Sequence, residues 1–298
     1  MRLSYDVVDV FTDRPFAGNQ LAVVHGAEGL STEQCLLLAG EFGYSETTFP
    51  ETPTEEGRRY ATRIFTPAGE IPFAGHPTLG TAWVLRRRGL LAGDAVVQQC
   101  GAGDVGVRFD GELVELAAEP RDLVGPLAPG LVRRLLRLVG LVPGDLAGEA
   151  WLAGCGLTFA HLPVTEEAVV RATPPGPAAE RLAAWVSEAG DLRHPGSGLN
   201  VYAVAGEAPR LSVHARVFVP GVGVGEDPAT GSAAAGLGLT LAAAGRLPEG
   251  GRFEITQGVE MGRPSRLSGR VEATGGRGTR CHVGGEVQPV AAGEVAVP

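Results

Sequence analysis

The sequence contains one segment twice, and this internal repeat limits the possible folds more than any other feature. RIFTPAGEIPFAGHPTLGTA starts at Arg63, and RVFVPGVGVGEDPATGSA starts at Arg216. Each copy has an Arg-x-Phe-x-Pro strand end, a glycine-containing loop, and then His or Asp before Pro-x-x-Gly. Aligned on these last residues, His76 corresponds to Asp227. The spacing predicts two related halves of about 150 residues each.

Each copy leads into a predicted helix. The first helix has Pro77 in its first turn and stops at Gly89, and the second has Pro228 in its first turn and stops at Gly245. The second helix is so rich in alanine and glycine that it must be packed on nearly all sides, with close backbone contacts.

Short alternating runs bounded by Gly, Asp or Pro predict that strands dominate the rest of the chain. The fold class is therefore α+β, with one long helix per half. We place the halves at residues 1–124 and 125–298, and residues 285–298 alternate like a strand that could return to the first half. The predicted strands are YDVVDVF, QLAVVHG, AVVQQC, DVGVRF, ELVELAA, LNVYAVAG, LSVHARVF and RFEITQG.

Composition excludes several classes of function. The net charge is −9, and the one basic cluster is Arg86–Arg88 near a helix end, so we expect no nucleic-acid partner. We expect no membrane association, because no apolar run approaches the ~20 residues of a membrane span. The four cysteines are far apart, which argues against disulfides and a zinc site and predicts a reduced, cytoplasmic location.

The segment Gly101–Gly106 matches the GxGxxG pattern of dinucleotide-binding loops. Such a loop opens a helix, whereas the residues that follow here alternate and contain Asp110-Gly111, a hairpin signal. The segment is therefore predicted to be a turn, and no nucleotide, metal or other cofactor is expected.

The starts of the two repeated helices are candidate anion sites, because a helix start has unpaired N–H groups and a partial positive charge. A small molecule with a carboxylate would suit two such starts facing one cleft. Residues that could contact it through backbone or hydroxyl groups are Gly75, Thr230, Gly231 and Ser232.

Three ionisable side chains are candidate catalytic groups: Glu46, His76 and Asp227. Taken singly, His76 could be structural, Asp227 could cap a helix and Glu46 could lie on an exposed strand. If His76 and Asp227 occupy equivalent places facing one cleft, they become candidates together. The second half shows no carboxylate near Asn200, so Glu46 would be a one-sided acid/base.

At these residues the sequence resembles the PhzF family, the phenazine-biosynthesis-type isomerases of the diaminopimelate epimerase-like fold. The motifs are DVFTDRPFAGNQLAVV, SETTFP, RIFTPAGEIPFAGHPTLGTA, GEDPATGSAAAG and QGVEMGRPS, from residue 6 to about 265. The resemblance implies two pseudo-symmetric domains, each a mostly antiparallel sheet or barrel around a central helix. It also implies an active site between them and a homodimer, without cofactor or metal.

The resemblance assigns residue roles. Glu46, in SETTF, corresponds to the glutamate that takes a proton from one carbon and returns it to another. His76, Asp227 and Ser232 are implied to bind or relay, and Asn19 and Gly75 to face the pocket.

Two departures from related sequences are visible. Gln20 stands where the family often has proline, and Ala74 and Thr230 stand where related racemases and epimerases have two cysteines. The second departure disfavours two-thiol racemisation. The predicted function is a cofactor-independent isomerase acting on a small, cyclic or aromatic-type carboxylic acid. A non-catalytic acid-binding protein and a racemase-like enzyme that uses oxygen acids remain alternatives.

Overall fold

A computed structural model describes residues 1–176, 181–187, 196–220 and 225–298. The chain forms two compact units. The first unit is Met1–Leu116 together with Gly284–Pro298, and the second is Ala117–Val283. Thus the first segment ends before residue 124, where the sequence places the boundary, and the C-terminal residues belong to the first unit.

The elements within the described ranges are as follows. The helices are α1 (Thr32–Phe42), α2 (Gly75–Arg87), α3 (Pro129–Leu138), α4 (Glu166–Arg171), α5 (Leu182–Ser187) and α6 (Gly231–Ala243). The strands are β1 (Arg2–Val10), β2 (Asn19–Val24), β3 (Glu46–Pro50), β4 (Arg59–Thr66), β5 (Gly69–Ile71), β6 (Ala95–Cys100), β7 (Gly103–Asp110), β8 (Leu113–Ala118), β9 (Asp122–Val124), β10 (Trp151–Gly154), β11 (Thr158–Pro163), β12 (Gly196–Glu207), β13 (Arg210–Phe218), β14 (Gly251–Gln257), β15 (Ser265–Thr274), β16 (Arg277–Gly285) and β17 (Val287–Ala296).

Most sequence-predicted elements are confirmed. The eight alternating runs all form strands. In the segment Gly101–Gly106 the first two residues form a turn and the rest belong to β7, with no helix after it. The segment 177–189, rich in alanine and with one tryptophan, also predicts a peripheral helix, and part of it lies outside the described residues. Helix α1 was not predicted, although its start carries a capping box in which Ser31 and Gln34 bond reciprocally. No helix of the described chain is both long and apolar enough to cross a membrane.

In the first unit, the strand pairings alternate between antiparallel and parallel. β1 pairs antiparallel with β2, β2 parallel with β3, β3 antiparallel with β4, β4 parallel with β6, and β6 antiparallel with β7. β17 pairs antiparallel with β1 along its whole length. α2 packs against β1, β2 and β3 and is the central helix of this unit.

The second unit repeats this alternation of antiparallel and parallel pairings. β10 pairs antiparallel with β11, β11 parallel with β12, β12 antiparallel with β13, β13 parallel with β14, and β14 antiparallel with β15. α6 packs on β10, β11 and β15. The fold is α+β, and each unit has a mixed sheet around one central helix.

The packing of α6 explains its composition. Every residue from Ala233 to Ala242 is buried. A Cβ on Gly236 would lie 2.7 Å from the carbonyl oxygen of Ala153 and 2.8 Å from Nε2 of the buried His161. Real Cβ atoms do not approach other heavy atoms so closely, so this position needs glycine. The prediction of a helix packed on nearly all sides is confirmed.

The two central helices show that the sequence-based alignment of the halves needs correction. Both have 13 residues, with Ala74 and Thr230 as N-caps, and both lead into a glycine with φ of 73°. The offset is therefore 156 (230 − 74), which pairs His76 with Ser232 and Ile71 with Asp227. The prediction that His76 and Asp227 are equivalent is wrong, because the second loop carries three extra residues before its Glu-x-Pro.

The start of α6 is also corrected. Pro228 was predicted in the first turn, yet the helix begins at Gly231, so Pro228 lies before it. Pro77 does lie in the first turn of α2. In the new alignment the counterpart of Pro228 is Pro72, which likewise precedes its helix.

The realigned repeat contains a matched ion pair in each unit. Arg63 donates from Nε to Glu70 Oε1 at 2.8 Å and from Nη2 to Oε2 at 2.6 Å. Arg216 donates to Glu226 through the same atoms at 2.8 and 2.7 Å. Each pair joins the strand before the loop to the residues that lead into the central helix, so both copies hold the loop in the same way.

Candidate active site

Glu46 is a largely buried carboxylate at the first position of β3. Its backbone lies beside Leu21 of β2, and its side chain is 17% exposed. Among the described residues, Oε2 is buried and accepts no hydrogen bond. Burial raises the pKa of Glu46 above its ordinary value, and a hydrogen bond from Ser45 opposes that rise.

His76 lies next to this carboxylate. It occupies the first turn of α2 and is only 6% exposed. Its Nε2 is 3.5 Å from Oε2 of Glu46 and 3.3 Å from the carbonyl oxygen of Gln20. The structure therefore brings two of the three predicted catalytic side chains together.

Asn19 joins the same cluster through Ser45. It begins β2 and is buried, and its Oδ1 accepts a hydrogen bond from Ser45 Oγ at 3.3 Å. The preceding Gly18 has φ of 67°, and a Cβ there would lie 2.4 Å from the carbonyl oxygen of Val10. Position 18 therefore requires glycine, which explains the glycine before Asn19 in the motif DVFTDRPFAGNQLAVV.

A buried polar chain fixes the start of α2 from its inner side, and sequence reasoning missed it. Tyr60 Oη donates to Gln98 Oε1 at 2.9 Å, and Gln98 Nε2 donates to Thr78 Oγ1 at 2.8 Å. Thr78 Oγ1 in turn donates to the carbonyl oxygen of Ala74 at 2.9 Å. Because Gly75 and His76 lie between these anchors, their positions are constrained. The alternation of β6 places Gln98 inward, which is the signal that could have indicated it.

The other predicted site residues lie in the second unit, at the start of α6. The Asp227 N–H donates to the carbonyl oxygen of Val217 at 2.9 Å, and its Oδ2 accepts from Thr230 Oγ1 at 2.5 Å. Gly231 and Ser232, the first two residues of the helix, are half-buried. Asp227 is therefore held by the loop and is not the N-cap of α6.

Gln257 holds this loop, and sequence reasoning did not assign it a role. Its Nε2 donates to the Asp227 carbonyl oxygen at 2.8 Å and to Thr230 Oγ1 at 3.1 Å. Its Oε1 accepts from the Thr230 N–H at 3.3 Å. Gln257 is the first residue of the motif QGVEMGRPS. Its buried side-chain amide fixes both ends of the segment 227–230, which gives a structural reason for glutamine at this position.

The second unit has no acid where the first has Glu46. Thr47 pairs with Phe65, and Leu199 pairs with Phe218, the repeat counterpart of Phe65. The residue equivalent to Glu46 is then Gly198. The register thus agrees with the sequence-based expectation of an acid/base in one half alone.

This arrangement is suited to proton transfer. A buried carboxyl group with a raised pKa and an oxygen that accepts no hydrogen bond is suited to taking and returning a proton, and the imidazole of His76 lies beside it. Within the described ranges, no group of three or more His, Cys, Asp or Glu side chains could hold a metal ion.

Comparison with known proteins gives the family. The model of the phenazine biosynthesis-like protein family, PhzC-PhzF, matches residues 8–119 and 152–293. Two trans-2,3-dihydro-3-hydroxyanthranilate isomerases are similar along nearly their whole length. That of Pseudomonas chlororaphis is 34% identical over 94% of this chain and 95% of its own, and that of Pseudomonas aeruginosa is 35% identical with the same coverage.

A solved structure supports the fold. The PhzF-family phenazine biosynthesis protein of Bacillus anthracis superimposes with a TM-score of 0.84 at 22% identity, covering all of both chains. At that identity the likeness concerns the fold alone. Sequence, fold and family model agree, and the chain belongs to the phenazine biosynthesis-like family of PhzF-type isomerases.

Proposed function

We propose that this protein moves a proton between two carbons of a small cyclic carboxylic acid, without a cofactor, and that Glu46 carries the proton. The observation that supports this most directly is the buried, unpartnered Oε2 of Glu46 beside Nε2 of His76. Stability alone does not require such an oxygen, because a buried acceptor without a partner is costly.

The proposed reaction is balanced within the substrate. The ionised Glu46 takes a proton from carbon, so that a C–H bond breaks, an O–H bond forms and the electron pair enters the conjugated system of the substrate. The protonated Glu46 then returns the proton to a second carbon. A positioned acid/base contributes roughly 100- to 10,000-fold in rate. His76 would hold the carboxyl group in place through both steps.

Negative charge on the substrate would be stabilised by the starts of the central helices. The first N–H groups that donate to a carbonyl at the helix start are those of Thr78 in α2 and Ala234 in α6. A helix start of this kind favours an anion, because its first turn carries partial positive charge. Neither helix has a side-chain cap among the described residues. In this proposal the binding residues are Asn19, Gly75, Asp227, Thr230, Gly231 and Ser232.

The test uses trans-2,3-dihydro-3-hydroxyanthranilate, the compound named for the relatives, in heavy water. Wild-type protein should isomerise the compound, followed by NMR or mass spectrometry, and deuterium should appear at carbon to the extent that the Glu46 proton exchanges with solvent. Glu46→Gln keeps the shape but cannot accept a proton, so isomerisation should fall at least about 100-fold. The matched control is Glu41→Gln, at an exposed glutamate of α1, which should react like wild type.

The outcomes separate the alternatives. Isomerisation that survives Glu46→Gln contradicts the assigned role. Binding with neither isomerisation nor exchange in the wild type supports a non-catalytic acid-binding protein for that ligand. Inversion of an amino acid in a chiral panel would instead support a racemase-like enzyme, although the N-caps Ala74 and Thr230 offer no thiol pair.

A further inference from the structure

Three arginines lie in register on neighbouring strands of the second unit, far in sequence from the predicted site residues. Arg210 of β13 pairs with Arg252 of β14, and Arg252 pairs with Arg270 of β15. Paired residues on adjacent strands point to the same face of a sheet. The three side chains therefore form one row, here called the arginine row.

Both pairings within the arginine row bring like charges together, although Glu207 lies opposite Arg210 on its other side. Strands are about 4.8 Å apart, and like charges directly opposite each other destabilise a sheet. All 25 basic residues of the chain are arginines, set against 34 acidic residues. An anion bound across the row would remove the repulsion.

Among the described residues, one arginine of the row forms an ion pair and the other two do not. Arg270 Nη1 donates to Glu272 Oε1 at 2.9 Å, and His282 bonds the same oxygen at 2.7 Å. Arg210 and Arg252 are exposed and make no ion pair with any residue in the described part of the chain.

The row lines a surface cavity with a fixed backbone. The cavity has a volume of about 500 Å³ and is also lined by Glu249, whose Oε1 accepts from the Gly275 N–H at 3.0 Å. Its floor is held by backbone bonds from Arg252 N–H to the Pro209 carbonyl oxygen at 2.8 Å and from Gly250 N–H to that of Leu247 at 3.0 Å. This volume lies within the range of small-molecule sites, roughly 300–1,000 Å³.

We propose that the arginine row binds a phosphate monoester group of a small molecule. The cavity is lined by three guanidinium groups and by the carboxylates of Glu249 and Glu272, so these groups keep a net positive charge toward a phosphate of charge about −2. Arginine presents paired N–H donors that fit phosphate oxygens in a bidentate manner, and its charge persists at every physiological pH. This site is independent of Glu46 and of the proposed isomerase activity.

The test compares anions on the intact chain by calorimetry and thermal shift, at constant ionic strength. Inorganic phosphate and glycerol 3-phosphate should bind and raise the melting temperature, whereas sodium chloride should not. Succinate carries two carboxylates without the phosphate geometry and should bind at least about tenfold more weakly. Equal binding of succinate would overturn the assignment to phosphate.

Variants assign the binding to the row. Arg252→Gln should weaken phosphate binding at least about tenfold, and without anion it should melt at or above the wild-type temperature because the central like charge is gone. Arg210→Gln is a second variant with the same expected loss of binding. The matched control is Arg108→Gln, at an exposed strand arginine whose cross-strand partners are Ala95 and Glu115. Phosphate binding that is unchanged in both test variants, or no stronger than chloride in the wild type, rejects the proposal.

Discussion

At the scale of single residues, Glu46 and His76 show how far sequence reasoning reached. Motif chemistry pointed to both, and the structure places Oε2 of Glu46 and Nε2 of His76 3.5 Å apart. Gln257 was not found, because a buried glutamine on a strand has no sequence signature that separates it from an exposed one. Its importance comes from where Asp227 and Thr230 lie in three dimensions, which a linear motif does not encode.

Glu46 should cost the protein stability at neutral pH. Its pKa is raised by burial, so the protonated form favours the folded state and that contribution is lost as pH rises through the folded pKa. Glu46→Gln should therefore be more stable than wild type, with a margin that is small near pH 4 and grows towards pH 8. Each kcal/mol gained should raise the melting temperature by roughly 2–4 °C.

Calorimetry of both proteins across this pH range checks the prediction. A margin that is constant with pH would mean that the carboxyl group titrates alike in the folded and unfolded chain. The exposed Glu41→Gln provides the comparison, since it should leave the pH profile of wild type unchanged.

Gln257 should be a stability determinant of the second unit. Gln257→Leu leaves the Asp227 carbonyl oxygen and the Thr230 N–H without their buried partner. The expected cost is about 1–3 kcal/mol in the free energy of unfolding, measured by urea denaturation. Gln99→Leu, at an exposed glutamine of β6, should change it by less than about 0.5 kcal/mol. Equal effects would mean that the amide contacts add nothing.

At the scale of elements, strands were more predictable than helix starts. Alternating runs mark strands directly because side chains point to opposite faces in turn. The start of α6 was misplaced because the repeated proline looked like a first-turn proline. Gly89 and Gly245, where the two helices were predicted to end, align the two halves correctly. Their offset of 156 (245 − 89) equals that of the helix starts.

The two matched ion pairs have similar geometry, but they should contribute different amounts to the free energy of unfolding. Arg216 and Glu226 are each 7% exposed, whereas Arg63 and Glu70 are 34% and 38% exposed. Arg216 Nη1 also bonds the carbonyl oxygen of Ala172 just after α4. Removing Arg216 would thus leave a buried carboxylate and a carbonyl unpaired.

The same substitution at both places tests this. Arg216→Met should cost about 3–5 kcal/mol in the free energy of unfolding. Arg63→Met should cost about 0–1 kcal/mol, because solvent screens the exposed pair. Denaturant titration measures both, and the prediction fails if Arg63→Met costs as much as Arg216→Met.

At the scale of the whole molecule, the repeat predicted two related units, and the order of strand directions is the same in both. The matching of each strand to its neighbours could not be read from the sequence, because parallel pairings join segments separated by helices. The pairing of β17 with β1 joins opposite ends of the sequence. Alternation alone identified residues 285–298 as a strand but not its register.

Deletion of residues 287–298 should therefore damage the first unit selectively. β1 would lose its entire pairing with β17, and Gln34 would lose its bond to the carbonyl oxygen of Pro298 at 2.8 Å. Hydrogen exchange should rise in β1 and β2 and stay near wild type in β13 and α6. Deletion of residues 297–298 alone, which spares β17, should leave β1 protected. Uniform loss of protection in both units would contradict this selectivity.

The late position of β17 also matters during translation. β1 leaves the ribosome before the strand that pairs with its outer side, which follows only after residues 117–283 have been made. At 5–20 residues per second this interval lasts roughly 10–30 s. Throughout it the nascent sheet has an open edge able to pair with another chain. Chaperone demand during synthesis should accordingly centre on the N-terminal strands, even though their own sequence emerges early.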